Sequence, residues 1–294
     1  MKRSVFLFLL LVSLVMTAGN AKTQDEILTF THTERSLQPG EAVFFEIRSA
    51  RPLKGLTVKA FDREFRAFTD DSGRNWKGLI GIDLETRPGR YHVRLNGIDT
   101  GGAAVAAMET LVVRDKKFPT RELTVDAKFV TPPAAVQARI QKESATVTAI
   151  FASISQERLW RGRFIVPVPG KVISAFGKRS VYNGKPRSPH TGTDFRGATG
   201  TPIKAPNTGR VVLAANLYYS GNTVILDHGM GLYSYMGHMV SFSVRKGDLV
   251  QRGDLIGKVG ATGRVTGPHL HWTVRLAGSR IDPLSLIDVL RNRK

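Results

Sequence analysis

From residue 22 to 117 hydrophobic and polar residues alternate with a period of two. Tyr91-His92-Val93-Arg94-Leu95 shows it best, and Ala42–Ile47, Leu56–Phe61, Glu64–Phe68, Gly78–Asp83 and Glu109–Arg114 are comparable short runs. Successive strand side chains point to opposite faces, so this pattern predicts half-buried β-strands. Gln38-Pro39-Gly40, Asp70-Asp71-Ser72-Gly73, Arg87-Pro88-Gly89 and Asn96-Gly97 supply turn signals between them. In 118–163 the period changes. Thr131-Pro132-Pro133 is a helix-start signal, and Val136, Ile140, Val147, Ile150, Phe151 and Ile154 recur at helical spacing. One helix, or two short ones, is expected there, packed on a neighbouring domain by its apolar stripe. From 164 onward strands return at Val211–Ala214, Thr223–Asp227, Leu232–Tyr235, Leu255–Val259 and His271–Leu276, and the next helix signal is Pro283–Leu290.

The expected class is therefore mainly β. Six or seven short strands at regular spacing in 22–117 suggest an immunoglobulin-like β-sandwich. Residues 118–163 form a helical connector, and 164–294 a mostly antiparallel sheet with an active surface. In that last part the sheet would be the floor of a groove, walled by the loops Arg179–Pro189 and Tyr218–Gly221.

Residues Met1–Ala21 read as a signal peptide. Lys2 and Arg3 precede the apolar run Val5–Met16, and Gly19 and Ala21 are small residues at the cleavage positions. No later segment is apolar enough to cross a membrane, so no stable insertion is expected after cleavage. The formal charge is +19, and losing Lys2 and Arg3 leaves +17. A basic exported protein suits an anionic partner such as a wall polymer. Nucleic acid is not expected, because no basic helix with nucleic-acid motifs is present. The chain has no cysteine, so a metal site would have to use His and carboxylate.

Five of the seven histidines fall in the C-terminal third: His190, His228, His238, His269 and His271. His190-Thr191-Gly192-Thr193-Asp194 places His and Asp four apart, on one face of either helix or strand. His269-Leu270-His271 begins an alternating run, so both rings leave one face of a strand. Taken alone, His-x-His on a strand is ordinarily just a polar face. Together the two stretches have ligand spacings for one zinc ion.

The flanking residues sharpen this. Phe176-Gly177-Lys178-Arg179, Tyr182-Asn183-Gly184, His190 to Phe195, Gly209-Arg210-Val211, Asp227-His228-Gly229, Tyr235-Met236-Gly237-His238, Gly247-Asp248-Leu249-Val250, Gly260-Ala261-Thr262-Gly263 and Gly267 to Trp272 appear in order. Together they resemble the M23 family of zinc metallopeptidases, the lysostaphin- and LytM-like cell-wall endopeptidases, over about 164–285. The resemblance implies one zinc per chain, held by His190, Asp194 and His271, with a fourth position left for water. It implies that His238 and His269 handle protons and stabilise the tetrahedral intermediate. It also implies an oxyanion donor at Tyr182, and peptidoglycan as substrate in the periplasm or outside the cell. His228 is read as a turn residue. Arg196 and Arg264 are candidates for a substrate carboxylate on charge alone. The alternative is a non-catalytic wall-binding or amidase-activating module on the same fold. The sequence does not choose docking, substrate placement or restraint as the role of the N-terminal sandwich, nor does it fix the oligomeric state.

Overall fold

A computed structural model of the chain describes residues 27–69, 72–123, 132–182, 184–186 and 188–293. The expected signal peptide, Met1–Ala21, lies outside the described residues, as does Asn183. Seven strands come first: β1 Leu28–Glu34, β2 Ala42–Ser49, β3 Leu53–Ala60, β4 Arg63–Phe68, β5 Asn75–Gly81, β6 Gly89–Asp99 and β7 Ala104–Val113. They pair in the order β1-β2-β5-β4-β3-β6-β7, and every pairing is antiparallel. This is the connectivity of an immunoglobulin-like sandwich, four strands then three, with β4 paired on both sides so that the sheet curls round. Phe45, Ile47, Phe65, Ile80, Ile82, Leu95 and Leu111 fill it and are almost wholly buried.

Two local expectations fail here. Asn96-Gly97 is not a turn: β6 runs through it to Asp99, with Gly97 paired to Leu56 on one side and Val105 on the other. Gly97 serves close packing instead, since a Cβ there would lie 3.0 Å from Leu53 and 3.1 Å from Val105. Phe61 ends no strand. With Asp62 it makes a tight turn, at φ 52° and 56°.

The connector holds β8 Thr120–Leu123 and a single helix, α1 Ala134–Ala152, which starts directly after Pro133. Then follow β9 Val172–Ser174, β10 Arg179–Tyr182, β11 Lys185–Pro186, β12 Thr193–Arg196, β13 Pro202–Lys204, β14 Gly209–Leu217, β15 Gly221–Gly229, β16 Leu232–Phe242, β17 Leu249–Val250, β18 Leu255–Val259, β19 His269–Leu276, β20 Ser279–Ile281 and α2 Pro283–Leu290. The main sheet runs β17-β14-β15-β16-β19-β12-β9, and β8 adds to β10 in parallel. Asp282 caps α2 by accepting a hydrogen bond from Leu284 N at 3.0 Å. No helix among the described residues is long and apolar enough to cross a membrane.

The alternation of β19 sets the architecture. Leu270, Trp272, Val274 and Leu276 point to one face and are buried in a cluster that also contains Ile80, Ile82, Leu286 and Leu290. The sandwich and α2 therefore pack beneath the sheet. Gly81 of β5 abuts Leu276, Ser279 and Ile281. Polar contacts fasten the joint. Ala42 N donates to Ser285 Oγ at 2.9 Å, and Asp282 N donates to Gly40 O at 2.7 Å. Arg280 donates Nε and Nη2 to the two oxygens of Asp83, at 3.0 and 2.5 Å. Arg35 bridges Glu41 and Asp282, at 2.9 and 2.6 Å. Burial would raise the Asp83 and Glu41 carboxyls, but hydrogen bonds from Arg280 to Asp83, and from Arg35 and Lys116 to Glu41, outweigh it and hold both below their ordinary range.

The other face of β19 carries His269, His271, Thr273 and Arg275. On this face lies α1. Phe151 packs against Tyr233 and Tyr235, with ring centroids 5.7 and 6.3 Å away, and Arg275 lies over its ring. Val147 and Ile150 join it over Leu213, Leu217 and Ile225. The helix thus docks by the stripe expected from sequence. It lies on the histidine side of the sheet, while the sandwich lies on the other.

Candidate metal centre

Three neighbouring strands bring the expected residues together. In the β12–β19 register Asp194 sits opposite His271, and in the β16–β19 register Gly237 sits opposite His271. Directly opposed residues share a face, so the Asp194 carboxylate reaches the His271 ring without distortion. His190 precedes β12 and is pinned by its backbone: its N donates to Lys178 O, and its O accepts from Gly177 N, at 2.9 and 2.8 Å. Gly192 lets this segment lie flat on β19. A Cβ there would be 2.6 Å from Trp272 O and 2.7 Å from His271 Cε1.

The result is a convergent set. His190 Nε2 and His271 Nδ1 lie 3.1 and 2.8 Å from the same Asp194 Oδ1, and 3.1 Å from each other. The edge of a zinc tetrahedron with bonds of ~2.0–2.1 Å is about 3.3 Å, so these atoms need to spread only slightly to hold such an ion. The outward ring nitrogens also fit. His190 Nδ1 is 3.0 Å from Ala175 O, and His271 Nε2 is 2.9 Å from Thr273 Oγ1. Each of these can accept an N–H, which turns the lone pair of the other nitrogen inward.

Electrostatics favour the ligand-competent forms. Burial would raise the Asp194 pKa, but hydrogen bonds from His190 and His271 hold it well below the usual carboxylate range. Burial pushes His271 down, against the pull of Asp194. Burial would lower His190 as well; there the Asp194 hydrogen bond outweighs it and the pKa is raised. An ionised carboxylate and a neutral imidazole are what a cation requires, and binding would displace any proton left on His190.

His238 and His269 flank the trio. Their rings are 4.8 Å apart, and His238 is 5.9 Å from the His271 ring. His238 Nδ1 is 2.9 Å from Thr262 O, and His269 Nδ1 is 2.9 Å from Gly267 O. With Nδ1–H donated to a backbone carbonyl, each ring keeps a bare Nε2; that of His269 lies 3.8 Å from Asp194 Oδ1. Burial pushes the His238 pKa down to about 4.

His238 gets onto this face by an irregularity. Met236 and Met239 are both wholly buried in the core, so two residues lie between core positions where strict alternation allows one. The β15 register confirms an extra residue in β16, since Asn222 pairs with Met239 but Val224 with Met236. His238 occupies the bulge with φ 64°, and its N donates to Ser220 O at 2.7 Å. Bulges commonly re-aim a side chain in this way, and positive φ in a non-glycine residue is a strained conformation.

Among the remaining sequence candidates, His228 is wholly buried, with Nδ1 2.8 Å from Thr208 O and Nε2 2.9 Å from Ser234 Oγ. It faces away from the centre, in keeping with a structural role. Tyr182 ends β10, and its side chain lies outside what the structure describes. Sequence reasoning missed Thr273 and Thr262, the partners that orient His271 and His238. Their signal was a small hydroxyl residue two positions after His271 on the same strand face, and another in the Gly-rich loop 260–263.

Residues 188–283 match the model of peptidase family M23. The Vibrio cholerae peptidoglycan DD-endopeptidase ShyA is 37% identical over 123 residues, 42% of this chain and 29% of that protein. The Neisseria meningitidis DD-carboxypeptidase/endopeptidase Mpg is 38% identical over 97 residues, 33% of this chain and 22% of that protein. The match thus spans less than a third of each of these curated relatives. A solved Pseudomonas aeruginosa protein assigned to peptidase M23 is similar over far more of the chain. It is 31% identical, with a TM-score of 0.67 over 86% of this chain and 95% of that one.

Proposed function

The chain belongs to peptidase family M23, and from that premise we propose that it is a zinc-dependent endopeptidase. It hydrolyses peptide bonds in the cross-links or bridges of peptidoglycan. The observation that carries the reading is the meeting of His190 Nε2, Asp194 Oδ1 and His271 Nδ1 within hydrogen-bond distance, beside two further imidazoles. These three residues would hold one zinc, with a position open to solvent.

Bound zinc would supply Lewis acidity and a water of pKa about 7. The chain's own residues do the rest. The Nε2 atoms of His238 and His269 are acceptors, so the pair can take the proton of the attacking water and later give it to the leaving amine. Once protonated, either ring can donate to the oxygen on which charge develops. Thr262 O and Gly267 O fix both rings in the tautomer that makes this possible. Tyr182, at the end of β10, belongs to the same reading as an oxyanion donor.

The proposed division of the chain is a signal peptide (1–21), a sandwich domain (22–117), a connector (118–163) and a peptidase domain (164–294). With an export signal and a basic surface, the protein would act on the wall from the periplasm or after secretion. Purified sacculi provide the test. Wild-type protein should release new amino groups and lower turbidity, and His271→Ala should do neither. A wild-type protein that binds zinc but releases no amino groups would leave the non-catalytic wall-binding reading standing.

A further inference from the structure

Beside the histidine centre, next to the Ser220 whose O accepts from His238 N, stands a ladder of rings and guanidinium groups. Tyr218 and Tyr219 meet edge to face, with centroids 5.0 Å apart at 78°. Arg139 of α1 lies over Tyr218 at 6.0 Å, and Arg264 lies over Tyr219 at 4.4 Å. The two arginines differ in what remains to them. Arg139 already donates to Glu143 at 2.6 Å and to Asn216 at 3.0 Å. The Arg264 guanidinium, exposed to solvent, has no hydrogen-bond or ion-pair partner among the described residues.

Arg264 is nonetheless held in place. Its N donates to Tyr219 O at 2.8 Å. The preceding Gly263 presses on Gly221: a Cβ there would be 2.3 Å from Gly221 N, at φ 78°. The loop that carries it starts and ends at the proposed proton-transfer pair. Thr262 O holds His238 Nδ1, and His269 N donates to Gly260 O at 3.3 Å. A guanidinium stacked on an aromatic ring has already given up much of its freedom, and its fork of N–H groups matches a planar carboxylate.

We propose that Arg264, stacked on Tyr219, is a specificity residue that takes a free carboxylate of the substrate near the scissile bond. The proposal rests on the peptidase reading of the histidine centre. A peptide could offer that group at its C-terminus or as the carboxylate of a branching diamino acid, and the chemistry is the same. Two matched pairs of stem peptides separate these sources. In one pair the C-terminus is free or carboxamide, and in the other the branch carboxylate is free or carboxamide.

The full-length zinc protein should prefer the free acid in one pair by roughly tenfold or more in kcat/KM, as a charge-assisted hydrogen bond implies. The responding pair identifies the carboxylate. In Arg264→Gln the ratio should fall to near one, and Arg264→Lys should keep part of it. An unchanged ratio in Arg264→Gln, or no preference in the wild type, overturns the proposal. A second measurement needs no turnover: calorimetric binding of the same pairs to chelator-treated wild-type and Arg264→Gln proteins. If no peptide is cut, the peptidase reading fails. This arm then decides for Arg264 if the wild type alone prefers the acid, and against it otherwise.

Discussion

Thr273→Val tests whether the centre is built outward from its ligands. Valine is close in shape to threonine, so packing in β19 should survive, and only the hydroxyl that faces His271 Nε2 at 2.9 Å is lost. Thr273 is 4% exposed, so water cannot readily replace that hydroxyl. Orphaning a buried donor costs ~1–3 kcal/mol. Part of that cost can be escaped if the proton moves to His271 Nδ1, but Nδ1 is the atom that points at Asp194, so the escape removes a ligand. Either route weakens zinc, by about 10- to 100-fold as for other residues that orient metal ligands. Competition against a chromophoric chelator reads the affinity directly. Thr273→Ser, which keeps the hydroxyl, should recover most of the loss. Equal zinc affinity in the Val and Ser variants would refute the reasoning.

Gly192→Ala would put a methyl 2.6 Å from Trp272 O and 2.7 Å from the His271 ring. Overpacking of that kind costs ~1–3 kcal/mol, so both Tm and zinc affinity should fall, and an unchanged pair would count against the close approach. A truncated protein of residues 160–294 should be poorly soluble or lower in Tm, because Leu276, Ile281, Leu286 and Leu290 lose the sandwich they are buried with, at ~1.5–3 kcal/mol for each fully uncovered side chain. Faster cleavage by a stable truncated protein would instead point to restraint by the removed part. Burial lowers the His228 pKa to about 4 from an ordinary 6.5. A folded-state pKa below the unfolded one adds stability above pH 6.5 that is lost as pH falls toward 4, here about 3 kcal/mol. Denaturant titrations at pH 7 and 4.5 should therefore show a smaller acid loss in His228→Gln than in wild type, and equal losses would contradict the assignment.

Much of the centre was legible because local patterns carry it. His190 and Asp194 lie in one short segment, and His269 and His271 share a strand whose alternation is plain in His-Leu-His-Trp-Thr-Val. The strands of the sandwich and the stripe of α1 were legible for the same reason. What failed was non-local. Whether Asn96-Gly97 turns or packs depends on Leu53 and Val105, which flank it only in the folded sheet. His238 has the parity of a core position until the bulge in β16 is known. The packing of the sandwich against β20 and α2 depends on pairs such as Asp83 with Arg280 and Ala42 with Ser285, which no spacing announces. Arg264 was visible as a charge, but the ring beneath it, and a guanidinium with no hydrogen-bond or ion-pair partner among the described residues, emerge only from the fold.

A crystal of the zinc-loaded protein, with anomalous scattering recorded on either side of the zinc edge, bears most directly on the central assignment. The expected result is one zinc per chain, bound by His190 Nε2, Asp194 and His271 Nδ1, with water completing the shell and His238 and His269 unligated beside it. Zinc bound elsewhere, or a shell closed by His238 or His269 with no place for water, would contradict it.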